Sequence, residues 1–262
     1  MILVFDVGNT ETTIGVFAAE ELRANWRITT DVARTPDELS LVIRGLLHAA
    51  GIAPAEIHGV CIGSVVPMLT APLAEACQSL TGVRPIIVDG RSALPITLDV
   101  VEPQTVGADR IINTLAASRL FARDTIVVDL GTATTFDCIT KDGVFLGGVI
   151  APGVRTAMET LVRRTSKLPQ TELYAPSEVI GRRTEDCIRS GVIFGSAEAI
   201  DGLVRRIRAE WPGDDEPLVV ATGGLAEALA PFCESFERVL PELTLVGLRM
   251  AHELLVQPAA VR

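Results

Sequence analysis

The chain has 262 residues, is 48% hydrophobic and carries a formal net charge of −10. Its apolar content suffices for one large core or two of ordinary size, and its acidity argues against sequence-independent nucleic-acid binding, which runs on Lys and Arg. The five cysteines, Cys61, Cys77, Cys138, Cys187 and Cys233, show no Cys-x-x-Cys or Cys/His spacing, which disfavours a zinc site or a disulfide framework.

The first element is an apolar, β-rich run, Ile2 to Phe5, ending in Asp6-Val7-Gly8-Asn9-Thr10, with a second β-rich run from Thr12 to Phe17. Thr35-Pro36-Asp37-Glu38 is a capping box with Pro at the first helical position, so a helix starts there. Leu39, Val42, Ile43, Leu46 and Leu47 form its apolar stripe, and Gly51 supplies the stop. Val60 to Val66 reads as a buried strand, followed by a helix over about 69–80 and a short strand from Pro85 to Val88. This strand–helix–strand order implies parallel pairing and an α/β fold.

After the loop Asp99-Val100-Val101-Glu102-Pro103 comes Val106-Gly107-Ala108-Asp109-Arg110, opening a helix through about Phe121 that is expected to cross between two lobes. The opening pattern then recurs: Thr125 to Val128 leads into Asp129-Leu130-Gly131-Thr132, with a second β-rich run from Thr134 to Ile139. A turn at Lys141-Asp142-Gly143 and a Gly-rich stretch, Gly147 to Gly153, follow. Helices are expected over about 154–164 and 184–209. A strand from Leu218 to Ala221 ends in Thr222-Gly223-Gly224, which opens another helix, and Gln257 to Ala260 reads as a frayed tail. The repeat predicts two similar lobes, 1–117 and 118–262. With no basic leader, and no apolar run near the ~20 residues that span a bilayer, the expectation is a cytoplasmic protein without a membrane partner.

The doubled Asp-x-Gly turn carries the most information. A strand, a tight Gly turn and a returning strand present backbone N–H groups and hydroxyls that can cradle phosphates, with the Asp placed to hold a cation. Two such turns facing each other would make a two-walled nucleotide cleft. An Asp after a strand also caps turns for purely structural reasons, but that preference does not require the whole hairpin to recur. Asn9, Thr10 and Thr132 can donate to phosphate or bond their own backbone. Gly223-Gly224 is a third turn that would let a nucleotide approach the backbone closely. Asp109-Arg110 is the candidate reacting centre, a carboxylate to take a proton beside a guanidinium to bind a substrate carboxylate; a first-turn acid favoured by the helix dipole is the structural alternative. His48, His58 and His252 show no motif. Gly-x-Ser-x-Gly and Walker patterns are absent.

Six segments together resemble the type III pantothenate kinases, within the actin-like ATPase superfamily that includes acetate and sugar kinases. They are Asp6 to Thr10, Gly107 to Arg110, Asp129 to Thr134, Gly147 to Gly153, Gly181-Arg182-Arg183-Thr184 with Ser190-Gly191, and Thr222 to Ala226. They run in the family's order along nearly the whole chain. The resemblance implies two duplicated ribonuclease-H-like lobes of mixed sheets flanked by helices. It implies ATP-dependent phosphorylation of pantothenate to 4′-phosphopantothenate, the first step of coenzyme A synthesis. Carried over by position, Asp6, Val7, Gly8, Asn9, Thr10, Glu11, Thr12 and Thr13 bind ATP phosphates, with Asp6 near magnesium. Thr132 also contacts ATP, and Asp129 binds a monovalent cation, potassium or ammonium. Gly107, Ala108, Asp109, Arg110 and Thr184 contact pantothenate, Asp109 being the proton acceptor. A homodimer is implied as well. There is one departure: where the family commonly has Tyr, an acidic residue, Asn and Pro, this chain has Val100-Val101-Glu102-Pro103, and keeps only the Pro. Two other outcomes stay open on the residues alone: a relative that has lost turnover and serves as a regulatory binding protein, and another phosphoryl-transfer enzyme of the superfamily.

Overall fold

The structure is a computed structural model, in which residues 1–256 are described; the tail expected at 257–260 lies outside them. Two compact units divide the chain, Met1–Ala116 together with the segment from Thr244 on, and Ala117–Leu243.

In the first unit, β1 (Ile2–Val7) turns back into β2 (Glu11–Ala18), which turns into β3 (Glu21–Thr29). Helix α1 (Pro36–Ala49) begins at the Thr35 capping box, with Glu38 N–H donating to Thr35 Oγ1 (3.3 Å) and Thr35 N–H donating to Glu38 Oε2 (2.8 Å). It ends in a Schellman closure, with Ile52 N–H donating to Leu47 C=O (2.9 Å) and Gly51 at φ 71°. Strand β4 (Gly59–Ser64), helix α2 (Pro67–Thr81), strand β5 (Ile86–Val88) and the two-residue β6 (Thr97–Leu98) follow, then helix α3 (Ala108–Phe121). The sheet order is β3-β2-β1-β4-β5, with β1, β4 and β5 parallel and β2 and β3 antiparallel to their neighbours.

Central strand β1 is buried on both faces, as its unbroken apolar run requires. Leu3, Phe5 and Val7 face α1 and α2 through Leu39, Ile43, Leu69 and Leu73. Val4 belongs to the opposite face, packed with Ile111, Ile112 and Leu115 of α3.

The second unit repeats the plan. Strands β7 (Thr125–Leu130), β8 (Ala133–Ile139) and β9 (Val144–Pro152) form an antiparallel meander. Helices α4 (Val154–Arg163) and α5 (Thr184–Ala209) follow, then β10 (Leu218–Thr222), the single-turn α6 (Ala226–Leu229) and β11 (Arg238–Val239). The order β9-β8-β7-β10-β11 matches β3-β2-β1-β4-β5 strand for strand, with β10 parallel to β7 and β11. The α5 stripe Ile188, Val192, Ile193, Ala197, Ile200 and Val204 packs on Ile126, Val128 and Leu130.

One segment gains an assignment and one expectation changes. The Gly-rich stretch 147–153 is mostly the strand β9, whose glycines pair in register with Cys138 and Asp137 of β8. The predicted second lobe of 118–262 does not extend to the C-terminal segment. Helix α7 (Leu243–Val256) buries Leu245, Leu248 and Ala251 against Val4, Phe17 and Ile112 of the first unit. Hydrophobic burial on the α3 side of that sheet needs a second helix, and α7 supplies it.

Candidate active site

The first Asp-x-Gly loop joins β1 to β2. Asp6 is paired in register with Thr13 on one side and Gly63 of β4 on the other. By strand alternation it belongs to the same face as Val4, the face that α3 covers. Gly8 N–H donates to Glu11 C=O (3.1 Å), and a Cβ on Gly8 would lie 3.0 Å from that same oxygen. No larger residue fits the turn without moving it. Thr12 is buried, whereas Asn9, Thr10 and Glu11 are exposed at the tip. Thr30, just past β3, is hydrogen-bonded to both sides of this loop; nothing in its sequence context singles it out.

Gly107 to Arg110 opens α3 in the same unit. A Cβ at Gly63 would collide with Ile112, so this glycine lets α3 close onto β4 beside Asp6. A Cβ at Gly107 would collide with the Asp109 carboxylate, and Gly107 C=O accepts the Ile111 N–H (3.2 Å). Asp109 Oδ1 accepts the Arg110 N–H at 2.9 Å. Burial pushes the Asp109 carboxyl above its ordinary value, and the Arg110 N–H and guanidinium offset this only in part. A carboxylate tuned upward is a better proton acceptor near neutral pH than one left in water. Val100, where the resembling family has Tyr, is half-buried and brings no hydroxyl, and Val101 beside it is 99% exposed.

The second loop joins β7 to β8 and is braced by two other glycine turns. A Cβ on Gly153 would collide with the carbonyls of Gly131 and Thr132, and Thr132 C=O accepts both Gly153 N–H (3.2 Å) and Thr156 Oγ1–H (2.7 Å). A Cβ on Gly223, at φ 88°, would collide with the Asp129 carboxylate, and Leu225 N–H donates to Leu130 C=O (3.3 Å). Three motifs separate in sequence therefore meet around Asp129 to Thr132.

Thr184 is the first residue of α5 and is exposed, in the second unit, whereas Gly107 to Arg110 belong to the first. The irregular segment that leads to it is tied down from α5. Arg189 donates through Nε to Glu172 C=O (3.2 Å), contacts Asp186 (3.1 Å) and stacks 3.9 Å over the Tyr174 ring. Ser190 Oγ–H donates to Val179 C=O at 2.6 Å. Among the described residues no group of three His, Cys, Asp or Glu could hold a metal. A magnesium carried by ATP needs only one or two carboxylates besides the phosphates, so Asp6 fits that donor set. No helix of the described residues is long and apolar enough to cross a membrane.

Comparison with known proteins places these loops in a family. The family model for type III pantothenate kinases matches residues 2–206. The chain is 45% identical over 253 residues to the type III pantothenate kinase of Thermomicrobium roseum, covering 97% of each chain. It is 42% identical over 255 residues to that of Moorella thermoacetica, covering 97% of this chain and 99% of the other. Among solved structures it resembles the activator of the 2-hydroxyisocaproyl-CoA dehydratase from Clostridium difficile with bound ADPNP (TM-score 0.57, 13% identity, 100% and 99% of the two chains). It also resembles component A of the (R)-2-hydroxyglutaryl-CoA dehydratase from Acidaminococcus fermentans (TM-score 0.55, 15% identity, 97% and 96%). At such identities the structural likeness shows the fold alone, the α/β fold of actin-like ATPases and sugar kinases. The near-full-length match to the relatives goes further, and the chain belongs to the type III pantothenate kinase family.

Proposed function

We propose that this protein transfers the γ-phosphoryl group of ATP to the primary hydroxyl of pantothenate, forming 4′-phosphopantothenate in the first step of coenzyme A synthesis. The observation that carries this reading is Asp109, in the first turn of α3, with its carboxyl raised by burial. Such a group can accept the hydroxyl proton as the oxygen attacks phosphorus. Gly107, Ala108 and Arg110 bind pantothenate beside it, and Thr184 adds a further contact.

The loop Asp6 to Thr13 binds ATP phosphates, and Thr132 makes another ATP contact. Asp6 holds the magnesium ion that accompanies ATP, which supplies positive charge to the phosphates. Asp129 holds a monovalent cation, potassium or ammonium. Its carboxylate occupies the space that a side chain at Gly223 would take. Phosphoryl transfer depends mainly on positioning and on neutralising charge, and loops braced by glycine turns suit both needs.

The enzyme acts in the cytoplasm as a homodimer in this reading. Its five cysteines are all free, as a reducing compartment requires. On α5, Gly191 and Gly195 are exposed one turn apart, and a Cβ on either would meet nothing within 4 Å. Packing within one chain gives no reason for these glycines; a second copy lying against α5 does. A coupled ATP-consumption assay with pantothenate, magnesium and potassium tests the activity, and absence of turnover would refute it. Light scattering of the purified protein tests the dimer, and a monomer mass at micromolar concentration would refute that part.

A further inference from the structure

We propose that Thr30 is a positioning residue for ATP, setting the direction of the N–H groups that the first Asp-x-Gly loop presents to phosphate. The inference rests on the reading of Asp6 to Thr13 as a phosphate loop. Thr30 makes three contacts to that loop and lies outside it. Its Oγ1–H donates to Gly8 C=O at 2.7 Å. Its N–H donates to Thr10 C=O at 2.9 Å. Its hydroxyl also lies 2.9 Å from that of Thr12, which is only 2% exposed.

In a planar trans peptide the C=O and N–H point in opposite directions. The peptide whose carbonyl is Gly8's carries the N–H of Asn9, so fixing that carbonyl on Thr30 turns the Asn9 N–H away from Thr30. By the same reasoning, the Thr10 carbonyl held by the Thr30 N–H turns the Glu11 N–H away from β3. Gly8 N–H is already committed to Glu11 C=O. One residue thus sets two peptide planes, at 8–9 and 10–11, and leaves their N–H groups facing away from the β3 edge. Successive amides set this way form an anion-binding concavity, here oriented by the neighbouring strand. Without the Thr30 hydroxyl the 8–9 peptide is free to rotate, and the buried Thr12 hydroxyl loses its partner across the strands.

The test is steady-state kinetics on Thr30→Val and Thr30→Ser, with Asn9→Ala as a control in the loop itself. Val keeps the shape and the backbone N–H but removes the hydroxyl; Ser keeps the hydroxyl. Thr30→Val should raise the KM for ATP roughly three- to tenfold, the loss expected from one hydrogen bond. Its KM for pantothenate should stay near wild type, its melting midpoint should fall by only a few degrees as the Thr12 hydroxyl loses its partner, and Thr30→Ser should restore both the ATP KM and the midpoint. The proposal is overturned if Thr30→Val leaves the ATP KM unchanged while Asn9→Ala raises it. It is equally overturned if both KM values rise together as the melting midpoint falls, since that marks a general structural role. If neither Thr30→Val nor Asn9→Ala moves the ATP KM, the phosphate-loop reading itself fails and this inference with it.

Discussion

Gly223 and Asp129 are so close that a single methyl group on the glycine would overlap the carboxylate. Gly223 also sits at φ 88°, where an L side chain is strained. Gly223→Ala should therefore displace Asp129 while leaving the buried β10 strand before it in place. The expected result is that about tenfold more potassium is needed for half-maximal activity, corresponding to a loss of about 1.4 kcal/mol at the cation site. A potassium titration of the initial rate checks this. An unchanged titration would show that Asp129 does not hold the cation.

Asp109 should control the acidic limb of the rate profile. Burial raises its carboxyl, so the base is lost to protonation at a higher pH than an ordinary carboxylate would be. The kcat/KM for pantothenate should fall on the acid side with an apparent pKa above the usual Asp range. Asp109→Asn should lower kcat by about 10²–10⁴-fold. A carboxyl with a raised folded-state pKa weighs against stability above its unfolded pKa, so Asp109→Asn should melt no lower than wild type at neutral pH. Turnover near wild type in this variant would remove Asp109 from the base role.

Arg189 holds the segment before Thr184 through the Glu172 carbonyl and the face of Tyr174, and pairs with Asp186 within α5 itself. Arg189→Ala removes all three contacts, and Tyr174→Leu removes the stacking alone, an interaction worth ~0.5–1 kcal/mol where exposed. The segment 165–183 should then be cut several-fold faster by trypsin or chymotrypsin at sites outside the substitution. The KM for pantothenate should rise more than the KM for ATP, with Arg189→Ala the stronger variant. Equal cleavage rates would show that the helix holds this segment without Arg189.

His252 of α7 is 9% exposed and packs where a Cβ on Gly59 would collide with its ring. Burial lowers its pKa from 6.5, with Glu253 acting in the opposite direction. The folded protein therefore prefers the neutral ring, while the unfolded chain takes a proton near pH 6.5. Stability should be full above that pH and decline as pH falls through it, by up to ~1.4 kcal/mol per pH unit. Melting midpoints measured across this range should fall in wild type and fall less steeply in His252→Leu.

Some elements were legible from local chemistry alone. The Thr35 capping box and Gly51 mark both ends of α1, and the duplicated hairpins around Asp6 and Asp129 are central to both sheets. Strand β3 shows strict alternation, with Leu22, Ala24, Trp26 and Ile28 half-buried and their neighbours exposed, a period-two signal present in the sequence itself. Strand β9 was hidden by Gly147 and Gly148, which have low strand propensity and are held by pairing with β8. The bracing of Asp129 by Gly153 and Gly223 could not be read in advance, because it depends on how three distant turns meet. The contacts of Thr30 were equally hidden, since a Thr after a strand has no distinguishing signature.

The placement of α7 bears on how the protein is made. The unit that carries Asp6 and Asp109 is discontinuous, and the cover that α3 gives one face of its sheet is completed by a segment translated after the whole of Ala117–Leu243. The second unit is continuous and has all its own strands before α7 emerges. On the ribosome it can therefore complete its core first, while Val4, Phe17 and Ile112 wait with part of their apolar surface uncovered. The half of the enzyme that begins the chain is the half whose last covering helix is synthesised last.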